Sequence, residues 1–263
     1  MSNSNMILED YAVMRYGSSH SILRSELIYG EGFQSPGGIA GFRSELGDKI
    51  PVTPGIRMLD VGSGLGGAAF YFAKKTEVEI VGLDTSPIMT ELATSRQDVK
   101  DPFRRVAFLN ADIHTADLDE QSFDVIYSRD TLMYERNKPS FFERCFSLLK
   151  KGGSIYIADF CKNNESEEFA KFESSSGYEL KTIAEYSKII SHAGFESLIS
   201  EDISLNTVKK LTADLNEYRT KAGEKDYLIQ KTDADHIVGR WLEKIRLLET
   251  GCLAQGLFIG VKS

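Results

Sequence analysis

The chain has 263 residues, 41% of them hydrophobic and 27% charged, an ordinary globular composition that excludes disorder as the main state. A formal net charge of −8 argues against dependence on a polyanion such as nucleic acid or a phospholipid surface. Three widely spaced cysteines, Cys145, Cys161 and Cys252, form neither a disulfide framework nor a zinc site, and read as small packed side chains.

Residues 1–17 are polar and hold no lysine and no apolar run, so they do not read as a signal peptide. No run approaches the roughly 18 apolar residues of a membrane span. The expectation is a cytoplasmic monomer with no nucleic-acid or membrane partner. In residues 1–45, Ile22, Leu23, Glu26 and Leu27 give a helix-spaced stripe, broken by Gly30, Gly32 and Pro36-Gly37-Gly38. This segment reads as an N-terminal helical lid. Strands are expected at 57–61, 77–84, 106–109, 123–127 and 154–159. Helices are expected at 67–75, at 87–95 with Pro87 in a favoured first turn, and at 140–149. Lys150-Lys151-Gly152-Gly153 looks like a basic last turn followed by a glycine stop. Alternating strands and helices predict a parallel sheet covered on both faces. A helix over 182–194, a strand within 195–204, a charged helical stretch over 206–250 and a last strand at 257–261 follow. The domain reading is a Rossmann-like core over 46–205, a helical cap over 206–250 and the last core strand over 251–263.

Ligands of such sheets bind outside the carboxyl ends of the strands. The run Leu59-Asp60-Val61-Gly62-Ser63-Gly64-Leu65-Gly66-Gly67 leaves a strand and enters a helix. Its glycines fit the dinucleotide pattern, which alone is weak. Asp60 separates the readings, because a carboxylate there faces a pyrophosphate unfavourably and suits a cation. S-adenosylmethionine carries an amino-acid ammonium and no phosphate. Asp84, ending the next strand, is where an acid accepts from ribose hydroxyls. Asp112 can accept from an adenine amino group, with Ile113 against the ring.

The LDVGSGLGG loop, the acid ending the second strand and the GGSIYIADF strand resemble the class I S-adenosylmethionine-dependent methyltransferases. That resemblance implies a seven-stranded sheet with a reversed last strand. A narrower set is similar to the phosphoethanolamine N-methyltransferases: Tyr29 through Gly38, the glycine loop, Tyr127-Ser128-Arg129-Asp130 and Asp159-Phe160-Cys161. It implies that Ser35, Gly62, Ser63, Gly64, Asp84, Thr85, Asp112, Ile113 and Arg129 join Asp60 at the cofactor. It also implies a lid tyrosine at Tyr16, and Tyr178 and Lys244 near a small-molecule acceptor. The acceptor side departs from the family. Tyr134 stands where the family has the histidine of its catalytic Tyr–His pair, Phe160 replaces a tyrosine and Ser176 replaces an arginine. The last two are phosphate ligands in the family, and losing a bidentate phosphate partner is not conservative. Phosphoethanolamine is therefore expected to be a poor substrate, and a less charged small nucleophile a better one.

If the nucleophile is an amine, Asp130 or a tyrosine oxygen takes its proton, and Tyr16 and Tyr134 flank the product cation. Asp130 also fits a helix cap. His20, His114, His192 and His236 show no metal spacing. The leading expectation is N-methylation of a small amine related to phosphoethanolamine. The alternatives are an O- or S-methyltransferase on another metabolite, a non-catalytic methyltransferase-like protein and, disfavoured by Asp60, an NAD-dependent oxidoreductase.

Overall fold

The structure, a computed structural model, describes residues 25–221 and 231–263 apart from Leu27 and Glu165. Seven strands form one sheet: β1 (Ile56–Val61), β2 (Val78–Asp84), β3 (Val106–Asn110), β4 (Phe123–Arg129), β5 (Leu149–Lys162), β6 (Glu196–Asp202) and β7 (Leu253–Val261). Their order is β3-β2-β1-β4-β5-β7-β6, with β7 antiparallel to both neighbours. Strand order reverses between β1 and β4, so a crevice opens at their carboxyl ends.

The described helices are α1 (Gly38–Phe42), which runs into a π-turn at Arg43–Gly47, α2 (Gly67–Lys75), α3 (Pro87–Ser95), α4 (Gln97–Lys100), α5 (Lys138–Leu148), α6 (Glu167–Ser176), α7 (Ile183–His192), α8 (Ser204–Lys221) and α9 (Lys231–Glu249). Alternation along the central strands feeds two apolar layers. Leu59, Ile126, Ile155 and Ile157 pack with Phe142 and Leu148 of α5 and Tyr186 of α7. Met58, Ile80, Val125 and Tyr127 pack with Phe72 of α2, Phe42 and Leu46. A third cluster joins Phe160, Phe169 and Tyr178 to Leu211, Leu215, Tyr218 and Trp241 of α8 and α9. It ties the two C-terminal helices to the sheet beside the crevice.

Several elements differ from the sequence reading, among them a short helix at Gln97–Lys100. Lys150-Lys151-Gly152-Gly153 is not a helix end: α5 stops at Leu148 and Leu149 already pairs with Phe123. The register then shifts, Gly152 adopts φ 80°, and its N–H donates to Lys262 O at 2.7 Å. The run is thus the irregular start of β5, paired with the residue that follows β7. Helix α6 was not expected either. Ser166 caps it by accepting from Phe169 N at 3.0 Å, with Glu167 and Glu168 in the first turn and Gly177 in the left-handed region at its end. The lid expected over 1–45 lies outside the described residues up to residue 24. Beyond it, the glycine run at 36–38 begins a short helix at Gly38 instead of only breaking one.

Candidate active site

A cavity of about 1100 Å³ lies at the switch point, running from Asp84, Met89 and Asp112 at one end to Phe160, Gly177 and Lys244 at the other. The turn after β1 builds its floor. Gly62 and Ser63 donate their N–H groups to Leu83 O at 2.8 and 2.9 Å, which folds the loop back over β2. Gly62 sits at φ 76°, and a Cβ there would lie 2.1 Å from Thr131 Oγ1. Gly62→Ala is expected to lower unfolding free energy by at least the ~1–2 kcal/mol of a left-handed side-chain residue. Urea denaturation checks this, and an unchanged midpoint would refute the crowding.

Asp84 closes the loop. Its Oδ2 accepts from Gly64 N at 2.8 Å and its Oδ1 from Ser86 N at 2.9 Å. Burial pushes this carboxyl up, against the lowering effect of the two backbone donors. Asp60 is 4% exposed, and its Oδ2 has no hydrogen-bond partner among the described residues. Burial raises its carboxyl to about 7, the Tyr127 hydroxyl opposes the rise and the Asp84 charge adds to it. Asp112 lines the same end, its Oδ1 accepting from His114 N at 2.9 Å, beside buried Ile113. Ser35, Thr85 and Arg129 also line the cavity.

Asp130 follows β4 at φ 52°, a strained backbone for a non-glycine residue. It caps no helix, because Thr131 occupies the position before the 3₁₀ turn Leu132–Tyr134. Its Oδ1 instead accepts from Gln255 Nε2 at 2.9 Å, and it lines the cavity. Tyr134 lines the cavity with its ring edge-on to Tyr178, centroids 5.3 Å apart. Tyr178 is buried behind it and is not among the lining residues. Lys244 Nζ lies 4.5 Å from the Phe160 ring centre and 5.7 Å from that of Tyr178. Ser176 is fully buried, and its Oγ accepts from Arg240 Nη2 at 3.0 Å. A guanidinium from α9 thus stands beside the position where the local sequence lacks one. Tyr16 lies outside the described residues.

The site therefore gathers every sequence-predicted residue within the described chain, with Tyr178 behind the wall. Behind the wall, Gln255 on Asp130, Glu45 on Arg129 and Arg240 on Ser176 carry no mark in the sequence. Asp60, Asp84, Asp112, Asp130 and Glu135 outnumber Arg129, Arg136 and Lys244 along the wall, an acidic balance that favours a cationic ligand.

The strand order, the reversed β7 and the glycine loop below this crevice are those of a class I methyltransferase. A family profile described as "Methyltransferase domain" matches residues 52–230. Phosphoethanolamine N-methyltransferase 1 of Triticum aestivum is 37% identical over 248 residues, covering 93% of this chain and 49% of that protein. Phosphoethanolamine N-methyltransferase of Plasmodium falciparum is 33% identical over 184 residues, 68% of each chain. The structure of Haemonchus contortus phosphoethanolamine N-methyltransferase 2 with phosphomonomethylethanolamine and S-adenosylhomocysteine superposes with a TM-score of 0.88 at 26% identity, over 95% of this chain and 59% of that one. The chain belongs to the phosphoethanolamine N-methyltransferase family. It spans about half the length of the plant relatives it matches. Among the described residues, no helix is long and apolar enough to cross a membrane.

Proposed function

We propose that the chain is an S-adenosylmethionine-dependent N-methyltransferase acting on a small amine related to phosphoethanolamine. The observation that carries this reading is Asp60: a buried carboxylate oxygen without a partner among the described residues, at the foot of a glycine loop. It fits an amino-acid ammonium and misfits a pyrophosphate. Asp84 fits two ribose hydroxyls, because a carboxylate offers about four acceptor sites and the backbone uses two. Ser35, Gly62, Ser63, Gly64, Thr85, Asp112, Ile113 and Arg129 would complete the cofactor's surround. When bound, S-adenosylmethionine supplies an electrophilic methyl group on a sulfonium that leaves readily.

The chain's own residues do the rest. An attacking amine needs a free lone pair, so its proton must go to a base. Asp130 is suited to that role, with Oδ1 held by Gln255, Oδ2 3.9 Å from Arg129 Nε and the side chain on the cavity wall. Tyr134 presents a ring that can flank an alkylammonium. Lys244 supplies a cation at the acceptor end, and Arg240, one turn before it on α9, stands behind the wall on Ser176. Residues 1–45, with Tyr16, act as a lid and 206–250 as a cap, which exclude water and align the reactants.

Arg240 beside Ser176 bears on one of the three replacements behind the acceptor expectation, the missing arginine, and weighs toward a phosphate-bearing amine. Phosphoethanolamine is expected to outrun ethanolamine, with kcat/KM near or above the general range of about 10⁴ M⁻¹s⁻¹. Phe160 and Tyr134 favour the second reading, a less charged nucleophile. Steady-state release of S-adenosylhomocysteine from both amines separates them. A preference for ethanolamine selects the second reading, and cofactor binding without turnover on amines, thiols or hydroxyls overturns the first.

A further inference from the structure

Beside Arg129 the structure holds a buried ionic cluster whose other charged members have no individual role in the proposed reaction. Glu45, in the π-turn after α1, is 4% exposed and lies between two cations: its Oε2 accepts from Arg129 Nε and its Oε1 pairs with Lys210 Nζ. Arg129 also donates through Nη2 to Pro36 O at 2.5 Å. One turn beyond Lys210 on α8, Asp214 Oδ2 accepts from Gly37 N at 2.8 Å. Three separate parts of the chain meet here: the end of β4, the stretch from Gln34 to Gly47, and the cap helix α8. The approach is close enough to need glycine at position 41. A Cβ there would lie 2.4 Å from Pro36 O, 2.8 Å from Arg129 Nη2 and 3.3 Å from Lys210 Cδ.

Gln34, Ser35, Pro36 and Arg129 all line the cavity, whereas Glu45, Lys210 and Asp214 do not. The latter three therefore act on the cavity through the former. Buried charges left without partners are costly, which favours having all the pieces docked together. A second tie joins the N-terminal part of the chain to the C-terminal helices, Trp241 Nε1 of α9 donating to Tyr29 OH at 2.8 Å.

We propose that Glu45, Lys210 and Asp214 are positioning residues, a latch that fixes Arg129 and the Gln34–Gly37 arch and so couples docking of the cap helix to cofactor affinity. This inference rests on the cofactor reading above. The charged groups around Asp214 are Lys210, Arg129 and Glu217, with the Gly37 N–H as its direct partner. Burial raises Asp214 to about 6 and lowers Lys210 to about 8, as expected of charges held away from water.

The test uses the full chain, S-adenosylhomocysteine calorimetry and amide hydrogen exchange without ligand. Asp214→Ala and Lys210→Met are expected to raise Kd by about tenfold or more, the scale of one lost charge-assisted bond. Each should raise KM for S-adenosylmethionine by a larger factor than it lowers kcat, the signature of lost ground-state binding. Asp214→Asn keeps an acceptor for Gly37 N and should restore most of the affinity. In the unliganded protein, exchange over 36–47 should quicken in Asp214→Ala and less so in Asp214→Asn. If Asp214→Ala fails to fold, Lys210→Met alone carries the same two readouts. A wild-type chain that binds no S-adenosylhomocysteine refutes the cofactor reading. Normal binding in the wild type with unchanged Kd and unchanged exchange in both variants refutes the latch alone.

Discussion

Asp84→Ala should lose S-adenosylhomocysteine binding by two to four orders of magnitude. Two bonds from ligand hydroxyls to a carboxylate are worth roughly 1.5–3 kcal/mol each. The structure adds a second loss, because the same carboxylate holds Gly64 N and Ser86 N at 2.8 and 2.9 Å. Without it, the glycine loop and the start of α3 lose their common acceptor. Asp84→Asn should recover little of the affinity. Both backbone partners are donors, so the NH₂ of an asparagine would face an N–H whichever way the amide turned. Calorimetry on a folded variant decides the matter. Affinity within threefold of wild type in Asp84→Ala would sink the ribose assignment and with it the orientation of the ligand in the cavity.

What could be read from the sequence was what is local in the chain. The strands β1, β2 and β4 are short, largely buried apolar runs, and the turn from Asp60 to Gly67 carries its own glycines and acids. Contacts between distant residues left no such trace. Glu45 meets Arg129 across 84 residues, Arg240 meets Ser176 across 64, and Gln255 meets Asp130 across 125. Nothing in the spacing of a glutamate or a glutamine marks it for a partner that the sheet brings together. The error at Lys150–Gly153 has a different cause. Basic residues before glycines carry the same local signal at a helix end and at an irregular strand start. Pairing with Phe123 and Lys262 decided between them. At Ser176 the fold brings a guanidinium from α9 to a position where the local sequence has none, a neighbour that no single-position reading could show.

Cofactor affinity should fall as pH drops below 7, and Asp60 should be the cause. Burial holds its carboxyl at about 7 in the free protein, against 3.8 for an ordinary aspartate. A cationic ligand needs the ionised form, so binding releases a proton wherever the free site is protonated. The slope can reach about one decade of Kd per pH unit, the limit for one linked proton. The useful window is roughly pH 5.5–7.5, because above it an α-amino group itself begins to deprotonate. The sign for stability runs the other way. A carboxyl raised on folding binds its proton more tightly in the native state, so its contribution to unliganded stability is present below about 4 and is lost as pH rises through about 7. Stabilisation by ligand should therefore widen across the same interval in which the free protein weakens. Asp214, raised to about 6, and Asp159, raised to about 7, titrate nearby in pH, so the slope is assigned with a variant at position 60. In Asp60→Asn, the melting temperature without ligand should hold or rise near pH 8, since no buried charge remains to be desolvated. Its affinity for S-adenosylhomocysteine should drop by about tenfold or more at pH 8, the scale of one charge-assisted bond. Most of the pH slope should go with it. An Asp60→Asn variant that keeps both the wild-type affinity and the wild-type slope would show that the carboxylate does not meet the ligand's charge.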